Sequence, residues 1–385
     1  MRKIILLDTF SINNFHEIFN FCFLSSLLKG HKTENIEYYA DPSVITHLKK
    51  HASKENIPLE RVFFEFIDIN KGKKSWHIFY RHLKGCFFTL RKFFNHKDSR
   101  IVVSQLNPYL ALLYPLWRKK TNKVFIVCHG ELEWLISNPP IYKPEFLYKV
   151  CIKVFFKYKF RENLQLIVLG DSIKNNLLNY TNKANVNSIK SIKHPYKFED
   201  ANGVKNTQNS GILKIGLIGS ASIQKGFGEL CSLAVYFKDN IAKGELEFNV
   251  IGGNNFDPKD YPLINFRRSV NSSFLSYEDF QKTIQGLDFV LYLYPLNSYK
   301  LTASGAFFDA VNHMKPIIAL RNDYFKSFED NFGKIGFLGN SIDDIKNFIN
   351  HILKAKIIDD YNEISCNLEK IKDEYSFKNT IFTLN

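Results

Sequence analysis

The sequence lacks the patterns that mark several common classes of protein. Its six cysteines include no C-x-x-C pair, which indicates reduced thiols and no zinc site. The longest apolar run, YLALLYPLW, is far shorter than the ~20 residues that cross a bilayer. The opening MRKIILLDTF is too short in its apolar part for a signal peptide. We therefore expect a cytoplasmic protein that is soluble or peripheral to the inner face of the cell membrane.

Two further absences concern motifs that bind metal ions. No Asp-x-Asp pair is present to bridge a metal ion and a diphosphate, and no Cys/His cluster has zinc spacing. We therefore predict no metal and no other cofactor. Basic residues are instead in excess, with 52 Lys and Arg against 38 Asp and Glu and a formal charge of +14. Such a charge predicts an acidic partner, namely nucleic acid, an anionic membrane or a phosphorylated small molecule.

The order of apolar and amphipathic segments predicts two α/β domains. Apolar strands alternate with helices in both halves, which is typical of parallel sheets covered on both faces. A polar stretch with glycine but no periodicity separates the halves. The predicted parts are an N-terminal domain (1–196), a linker (197–210), a C-terminal domain (211–370) and a tail (371–385) packing back on the first domain. We expect two doubly wound Rossmann-like domains facing across a cleft, with ligands at the carboxyl ends of the strands.

The segment GLIGSASIQKGFGEL (216–230) predicts a phosphate-binding corner. It reads as a strand, a loop of small residues, and Lys225-Gly226 at the start of a helix. Exposed N–H groups, the positive end of the helix and the lysine charge all favour phosphate. The segment matches neither the P-loop nor G-x-G-x-x-G. The alternative is an ordinary strand–helix turn, since glycines are frequent there.

The segment KLTASGAFFDAVNHMKPIIAL (300–320) predicts a second corner. Ser304-Gly305 leaves the N–H groups at a helix start unobstructed. Asp309, one turn further on, can accept both hydroxyl hydrogens of a ribose diol. The alternative is a surface aspartate on an amphipathic helix.

Together these segments resemble the donor-binding domain of GT-B glycosyltransferases, and most of all the retaining group 1 family that makes bacterial polysaccharides. That family has a Gly-Arg…Lys-Gly loop and then a Glu-x7-Glu motif followed by Ala and Pro. Gly219 and Lys225-Gly226 match the first loop, whereas Ser220 replaces the arginine. Asp309-Ala310 and Pro316 match the second motif. The resemblance covers 211–355, and the N-terminal half only by architecture.

The resemblance implies roles for these positions in this chain. The diphosphate would be held by Gly219, Ser220, Lys225, Gly226, Ser304 and Gly305. Asp309 would hold the ribose. Leu301 stands where the family has its first glutamate, which normally touches the sugar, so retention or inversion stays open.

The segment VFIVCHGELEW places His129 and Glu131 at the end of a predicted strand. A histidine there suits a sugar hydroxyl or acid–base catalysis, and the family commonly has one at a similar place. We therefore predict His129 as the catalytic residue, with Glu131, Asp8 and His16 on the acceptor side. The alternatives are a structural histidine and, in the loop around His16, a helix capped by Asn14.

Two helical segments, 75–97 and 143–160, are rich in basic and aromatic residues. This pattern suits an anionic membrane surface. The alternative is that the apolar faces are domain core and the lysines a solvated rim. Nucleic acid is not predicted as a partner, because no recognition module is present.

The sequence thus predicts a metal-independent glycosyltransferase that moves a sugar from a nucleotide-diphosphate donor to a lipid-linked or glycan acceptor in bacterial surface polysaccharide synthesis. One rival is a nucleotide-sugar epimerase of the same architecture. The other is a non-catalytic GT-B-like binding or scaffold protein, which the missing arginine and glutamate keep open.

Overall fold

A computed structural model describes residues 3–72, 74–199, 211–219, 221–253, 256–267, 275, 277–355 and 360–384. The chain divides into two compact units. The first comprises Met1–Lys197, Leu301–Ala303 and Tyr375–Asn385, and the second Phe198–Lys300 and Ser304–Glu374. A short piece from the middle of the second half and the end of the chain are therefore parts of the first unit.

The first unit is built on a parallel sheet of seven strands in the order β3-β2-β1-β4-β5-β6-β7. The strands are β1 (Ile4–Leu7), β2 (Ile36–Ala40), β3 (Val62–Phe66), β4 (Arg100–Val103), β5 (Lys123–Val127), β6 (Leu164–Val168) and β7 (Ile189–Ser191). The helices are α1 (Glu17–Gly30), α2 (Pro42–Lys54), α3 (Ser75–Asn95), α4 (Pro108–Leu112), α5 (Tyr114–Trp117), α6 (Pro144–Lys157) and α7 (Asp171–Leu177).

The central strands are apolar runs because helices cover both faces of the sheet. All four residues of β1 are buried, and β4 and β5 are nearly so. Polar caps fix where helices begin. The Asp41 carboxylate accepts the N–H of Ser43 before α2, and Asn107 Oδ1 accepts two N–H groups before α4.

The second unit has a parallel sheet of six strands in the order β10-β9-β8-β11-β12-β13. The strands are β8 (Leu213–Ile218), β9 (Leu246–Ile251), β10 (Ile264–Arg267), β11 (Phe289–Tyr292), β12 (Ile317–Leu320) and β13 (Gly336–Gly339). The helices are α8 (Phe227–Tyr236), α9 (Lys238–Ala242), α10 (Tyr277–Gln285), α11 (Gly305–Asn312), α12 (Asp323–Phe332), α13 (Ile342–Ala355) and α14 (Tyr361–Tyr375).

Both sheets reverse direction next to their first strand, so the prediction of two doubly wound domains is confirmed. In the first unit the chain moves outward from β1 to β3 and then returns to β4 on the other side. In the second unit it moves from β8 to β10 and returns to β11. Loops after β1 and β4, and after β8 and β11, therefore flank a switch point, where ligands bind in such sheets.

The structure differs from the sequence prediction in a few elements. The segment PYLALLYPLWRKK, which its apolar pattern predicts to be one helix, forms two short helices, α4 and α5, because Pro115 has no N–H to continue the helical ladder. Three edge strands (β7, β10, β13) and three helices (α9, α12, α14) were not predicted. The edge strands are only three or four residues long, too short to show a period.

Candidate active site

In the second unit, Gly219 forms a fixed corner directly after β8. Its φ is +85°, in the left-handed region, and its N–H donates to the carbonyl of Ile251 at 2.9 Å. A Cβ on Gly252 would lie 2.2 Å from the Gly219 carbonyl oxygen, so the end of β9 approaches this corner as only glycine allows. A Cβ on Gly219 would lie 3.6 Å from that of Ala306. The corner after β8 therefore sits beside the first turn of α11.

The same loop continues into Lys225 and Gly226. Gly226 has a φ of +83°, and a Cβ there would lie 2.2 Å from the Leu293 carbonyl oxygen, so the loop rests on the end of β11. The Lys225 side chain makes no hydrogen bond or ion pair with any residue that the structure describes, and burial lowers the pKa of its ammonium. Burying a cation without a counter-charge is costly, so this place favours a negatively charged group.

At the start of α11, no side chain of the described residues caps the N–H groups. Ser304 is buried at the N-cap but makes no capping hydrogen bond, and its hydroxyl lies 3.4 Å from that of Tyr294. A Cβ on Gly305 would meet nothing within 4 Å, so open space lies in front of this turn. The Tyr292 hydroxyl donates to the carbonyl of Ala306 at 2.6 Å and ties the turn to β11.

Asp309 lies further along α11 and is half-buried. Burial raises the pKa of Tyr292 and Tyr294, and the charge of Asp309 adds to this effect, which places its carboxylate near the end of β11. Gly219, Gly226 and the start of α11 thus all lie at the carboxyl end of the β8–β11 switch. Ser220, also predicted to bind phosphate, lies outside the described residues.

In the first unit, His129 is buried at the end of β5. Its Nε2 donates to the Ser104 carbonyl at 3.1 Å, and its ring lies edge-on to those of His16 and Phe19, with centroids 4.5 and 4.6 Å away. Burial, and then the charges of His16 and His194, hold the pKa of His129 well below its ordinary value. The imidazole is therefore neutral at pH 7 and has only Nδ1 left as an acceptor.

Glu131 holds the loops around His129 by hydrogen bonds to their backbone. One oxygen, Oε1, accepts the N–H of Leu106 at 2.9 Å and that of His129 at 3.0 Å. The other, Oε2, is buried and has no partner among the described residues. Burial raises the pKa of this carboxyl to about 7. It is thus partly protonated at neutral pH.

Asp8 and His16 occupy the loop after β1. Asp8 is fully buried; Oδ1 accepts backbone N–H groups of Phe10 and Ser11, and Oδ2 accepts the Asn20 amide at 3.0 Å. This bonding suits a carboxylate that shapes the loop. His16, with φ +56°, is the N-cap of α1, and burial lowers its pKa to about 4. The alternative in which Asn14 caps this helix is wrong, because α1 begins at Glu17.

Sequence reasoning missed His194 and the tyrosines at the end of β11. His194 is buried beside Phe19, with ring centroids 5.1 Å apart, and burial lowers its pKa to about 4. Tyr294 stacks on Tyr299 at 4.0 Å. The available signal was their place directly after strands, in SIKHPY and LYLYP. Neither pattern is specific.

Leu301, which aligns with the family's sugar-contacting glutamate, is fully buried in the core of the first unit. Its N–H donates to Glu133 Oε1 at 2.8 Å. Thr302 follows, and a Cβ on Gly130 would lie 3.6 Å from its hydroxyl. Leu301 therefore packs the domain and offers no side chain to a ligand.

The two predicted membrane helices differ in which face they bury. On α3 the buried residues are Arg81, His82, Gly85, Cys86, Thr89 and Phe93, most of them small or polar. Large side chains on its other face are exposed, such as Trp76 (60%) and Phe87 (63%). On α6, Phe155 and Phe156 are instead fully buried, which favours for that helix the alternative of a core face.

The described residues lack two features, a membrane-spanning helix and a metal-binding cluster. None of their helices is long and apolar enough to cross a membrane. They contain no group of three or more His, Cys, Asp or Glu side chains that could hold a metal ion.

Comparison with known proteins gives structural matches only. No family model matches the chain, and no curated protein matches it by sequence. Sucrose-phosphate synthase from Thermosynechococcus elongatus matches over 98% of this chain and 96% of its own, with a TM-score of 0.62 and 11% identity. A glycosyltransferase from Rickettsia africae matches over 98% and 95%, with a TM-score of 0.60 and 12% identity.

HepE from Anabaena, solved in complex with UDP, matches over 98% of this chain and 96% of its own, with a TM-score of 0.58 and 13% identity. HepE was also solved with UDP-glucose. At these identities the likeness shows the fold alone. The chain thus has the two-domain fold of GT-B proteins, as the sequence predicted.

Proposed function

We propose that this protein is a GT-B glycosyltransferase that takes its sugar from a nucleotide diphosphate, with UDP as the first nucleotide to test. The observation that carries the proposal is Lys225, a half-buried ammonium without a described counter-charge, on a loop that packs at the end of β11. A diphosphate supplies the missing negative charge. HepE, which shares the fold, was solved with UDP and with UDP-glucose, and this favours the same class of donor here.

Within the second unit, the proposed roles follow from the local chemistry. The N–H groups at Ser304 and Gly305, with Lys225, would bind the diphosphate and stabilise the charge that develops as it leaves. Gly219 and Gly226 would shape the loop beside it, because their own N–H groups donate to the carbonyls of Ile251 and Ile223. Ser220 is proposed with this set from its sequence position alone. Asp309 would accept the hydroxyl hydrogens of the ribose. A fixed cation and helix N–H groups can fill the role of a metal ion, so we expect activity in the presence of EDTA.

Within the first unit, His129 is proposed to contact the donor sugar. A neutral imidazole with Nδ1 free to accept suits a hydroxyl of the sugar, but it does not suit a proton donor at pH 7. Asp8 and Glu131 would act by holding the loops that carry His129 and His16. The proposed acceptor is a lipid-linked or glycan intermediate of bacterial surface polysaccharide, as in the retaining group 1 family.

Isothermal titration with UDP and then UDP-glucose tests the proposal. We expect both to bind in EDTA, and donor consumption to require an acceptor. If neither binds and no other nucleoside diphosphate does, the proposal is wrong. An isomerised sugar nucleotide formed without acceptor would instead identify an epimerase.

We also propose that α3 rests on an anionic membrane surface. Its exposed Trp76 and Phe87 lie among the exposed basic side chains Lys84, Arg91 and Lys97. Aromatic rings beside cations favour the interface of an anionic bilayer. Only α3 carries this proposal, since Phe155 and Phe156 of α6 are fully buried.

Cosedimentation with vesicles tests the membrane surface. We expect binding to phosphatidylglycerol-containing vesicles and not to pure phosphatidylcholine, and a loss of binding in Trp76→Ser with Phe87→Ser. Val235→Ser is the matched control, because Val235 is an equally exposed apolar side chain (62%) on the second unit. Equal binding of all three proteins would overturn the proposal.

A further inference from the structure

A small pocket lies in the first unit, away from His129. It opens at the carboxyl ends of β1 and β3 and is closed on one side by α3. Its polar lining comes from Thr9, Asp68, Asn70, Arg81 and Lys84, and Phe88 forms an apolar wall. The cavity has a volume of about 30 Å³. This is far below the ~300–1,000 Å³ of sites for drug-sized ligands, so the pocket suits only one small chemical group of a larger molecule.

Arg81 is the buried cation of this pocket, with 8% of its surface exposed. Its Nε and Nη2 donate to the Asn70 carbonyl at 3.0 and 2.7 Å, and Nη2 also donates to that of Gly72 at 3.1 Å. Its guanidinium lies 5.0 Å from the centre of the Phe10 ring. All these partners are neutral. They fix the orientation of the guanidinium and leave its charge and Nη1 unused among the described residues.

The carboxylate of Asp41 does not neutralise Arg81. Asp41 acts on it only through space, while Asp41 Oδ1 accepts the N–H of Ser43 at 2.9 Å and lies 3.7 Å from the ammonium of Lys71. A buried guanidinium normally has an ionic partner, because burying an unpaired charge is costly. Arg81 thus has room for an anion.

Lys84 is the second cation, and an anionic ligand can replace the carboxylate that pairs with it. Its ammonium lies 3.2 Å from Asp68 Oδ2 and donates to the Asp68 carbonyl at 2.7 Å. The Asp68 side chain is 94% exposed, so this ion pair is weak. On the other side of the pocket, α3 approaches β1 so closely that a Cβ on Gly85 would lie 2.9 Å from Thr9 Oγ1. The Thr9 hydroxyl has no hydrogen-bond partner among the described residues.

We propose that this pocket binds the anionic group, phosphate or carboxylate, of the acceptor molecule. Arg81, Lys84 and the Thr9 hydroxyl supply donors to such a group, and the anion takes the place of the Asp68 carboxylate at Lys84. Charge-assisted bonds from a fixed guanidinium favour both kinds of anion. The inference rests on the proposed function, because it assigns the pocket to the acceptor of that reaction.

Isothermal titration tests the pocket in the full-length chain saturated with UDP, so that the donor site cannot bind the probe. UDP binding is measured first, and its absence counts against the proposed function alone. The probes are inorganic phosphate, glucuronate and glucose. Tighter binding of phosphate indicates a phosphorylated acceptor, and tighter binding of glucuronate indicates an acidic sugar. No binding of either anion, or equal binding of glucose, would overturn the proposal that the pocket binds an anionic group.

The variants change the exposed side chains of Lys84 and Asp68 and leave Arg81 in place, because Arg81 also holds the Asn70–Gly72 loop. Lys84→Gln should weaken anion binding about threefold, as expected for a partly exposed charge. Asp68→Asn should tighten it by a similar factor, since it removes the competing carboxylate. Lys153→Gln, an exposed lysine on α6, is the control. Unchanged affinity in both Lys84→Gln and Asp68→Asn would contradict the proposal, whereas a purely structural role predicts no gain from Asp68→Asn.

Discussion

Replacing Lys225 by methionine should weaken UDP binding without lowering the stability of the free protein. The ammonium has no hydrogen bond or ion pair with the described residues, and burial alone lowers its pKa. Methionine keeps most of the length of the side chain and removes the charge. The free protein should therefore lose no stability, whereas the complex with UDP should lose the main cation that binds the diphosphate.

The magnitudes follow from the type of interaction. A hydrogen bond to a charged group contributes ~1.5–3 kcal/mol, so the UDP dissociation constant should rise about 10- to 150-fold. The melting temperature of the free protein should stay the same or rise, by about 2–4 °C for each 1 kcal/mol released. Lys326→Met is the control, because Lys326 is exposed on α12 and pairs with Asp330 at 2.6 Å.

The pH dependence gives a further check on the same variant. A lysine whose pKa is lower in the folded protein binds its proton more weakly there than in the unfolded chain. The resulting penalty is complete below the folded pKa and disappears as pH rises towards the ordinary lysine value of ~10.4. Any gain in melting temperature from Lys225→Met should thus be greatest at neutral pH. A lower melting temperature together with unchanged UDP affinity would refute the role of Lys225.

Three other predictions concern single positions. Gly226→Ala should lower the melting temperature and UDP affinity, because it forces a side chain into positive φ and within 2.2 Å of a carbonyl oxygen; Gly228→Ala, which meets nothing within 4 Å, should do neither. Asp309→Asn should weaken UDP about tenfold but leave pyrophosphate unchanged in titration calorimetry. The folded Glu131 carboxyl holds its proton more tightly than the unfolded one, so the protein should lose stability as pH rises from 4.5 to about 7. Glu131→Gln should remove this loss, as measured by melting temperatures across that pH range.

Local patterns were sufficient for most strands of the two sheets, but not for three short edge strands or for the surroundings of the site residues. The strands ILKIGLIG and LEFNVIGG were predicted because a strand buried on both faces is a continuous apolar run. The aromatic residues of α3 and α6 look alike in sequence, yet Trp76 and Phe87 of α3 are exposed, whereas Phe155 and Phe156 of α6 are buried. Which face of a helix is covered depends on its neighbours in space, and periodicity alone cannot tell.

The sequence by itself determined the alternation of strands and helices, the two domains and the positions of the glycine corners, because these depend on residues a few places apart. Only the tertiary structure placed Gly219 beside Ala306, left Lys225 without a described counter-charge, buried Leu301 in the first unit and formed the Arg81 pocket. Each of these depends on segments far apart in the chain. Burial then changes their chemistry, since the pKa of a carboxyl such as Glu131 rises only when folding removes water from it.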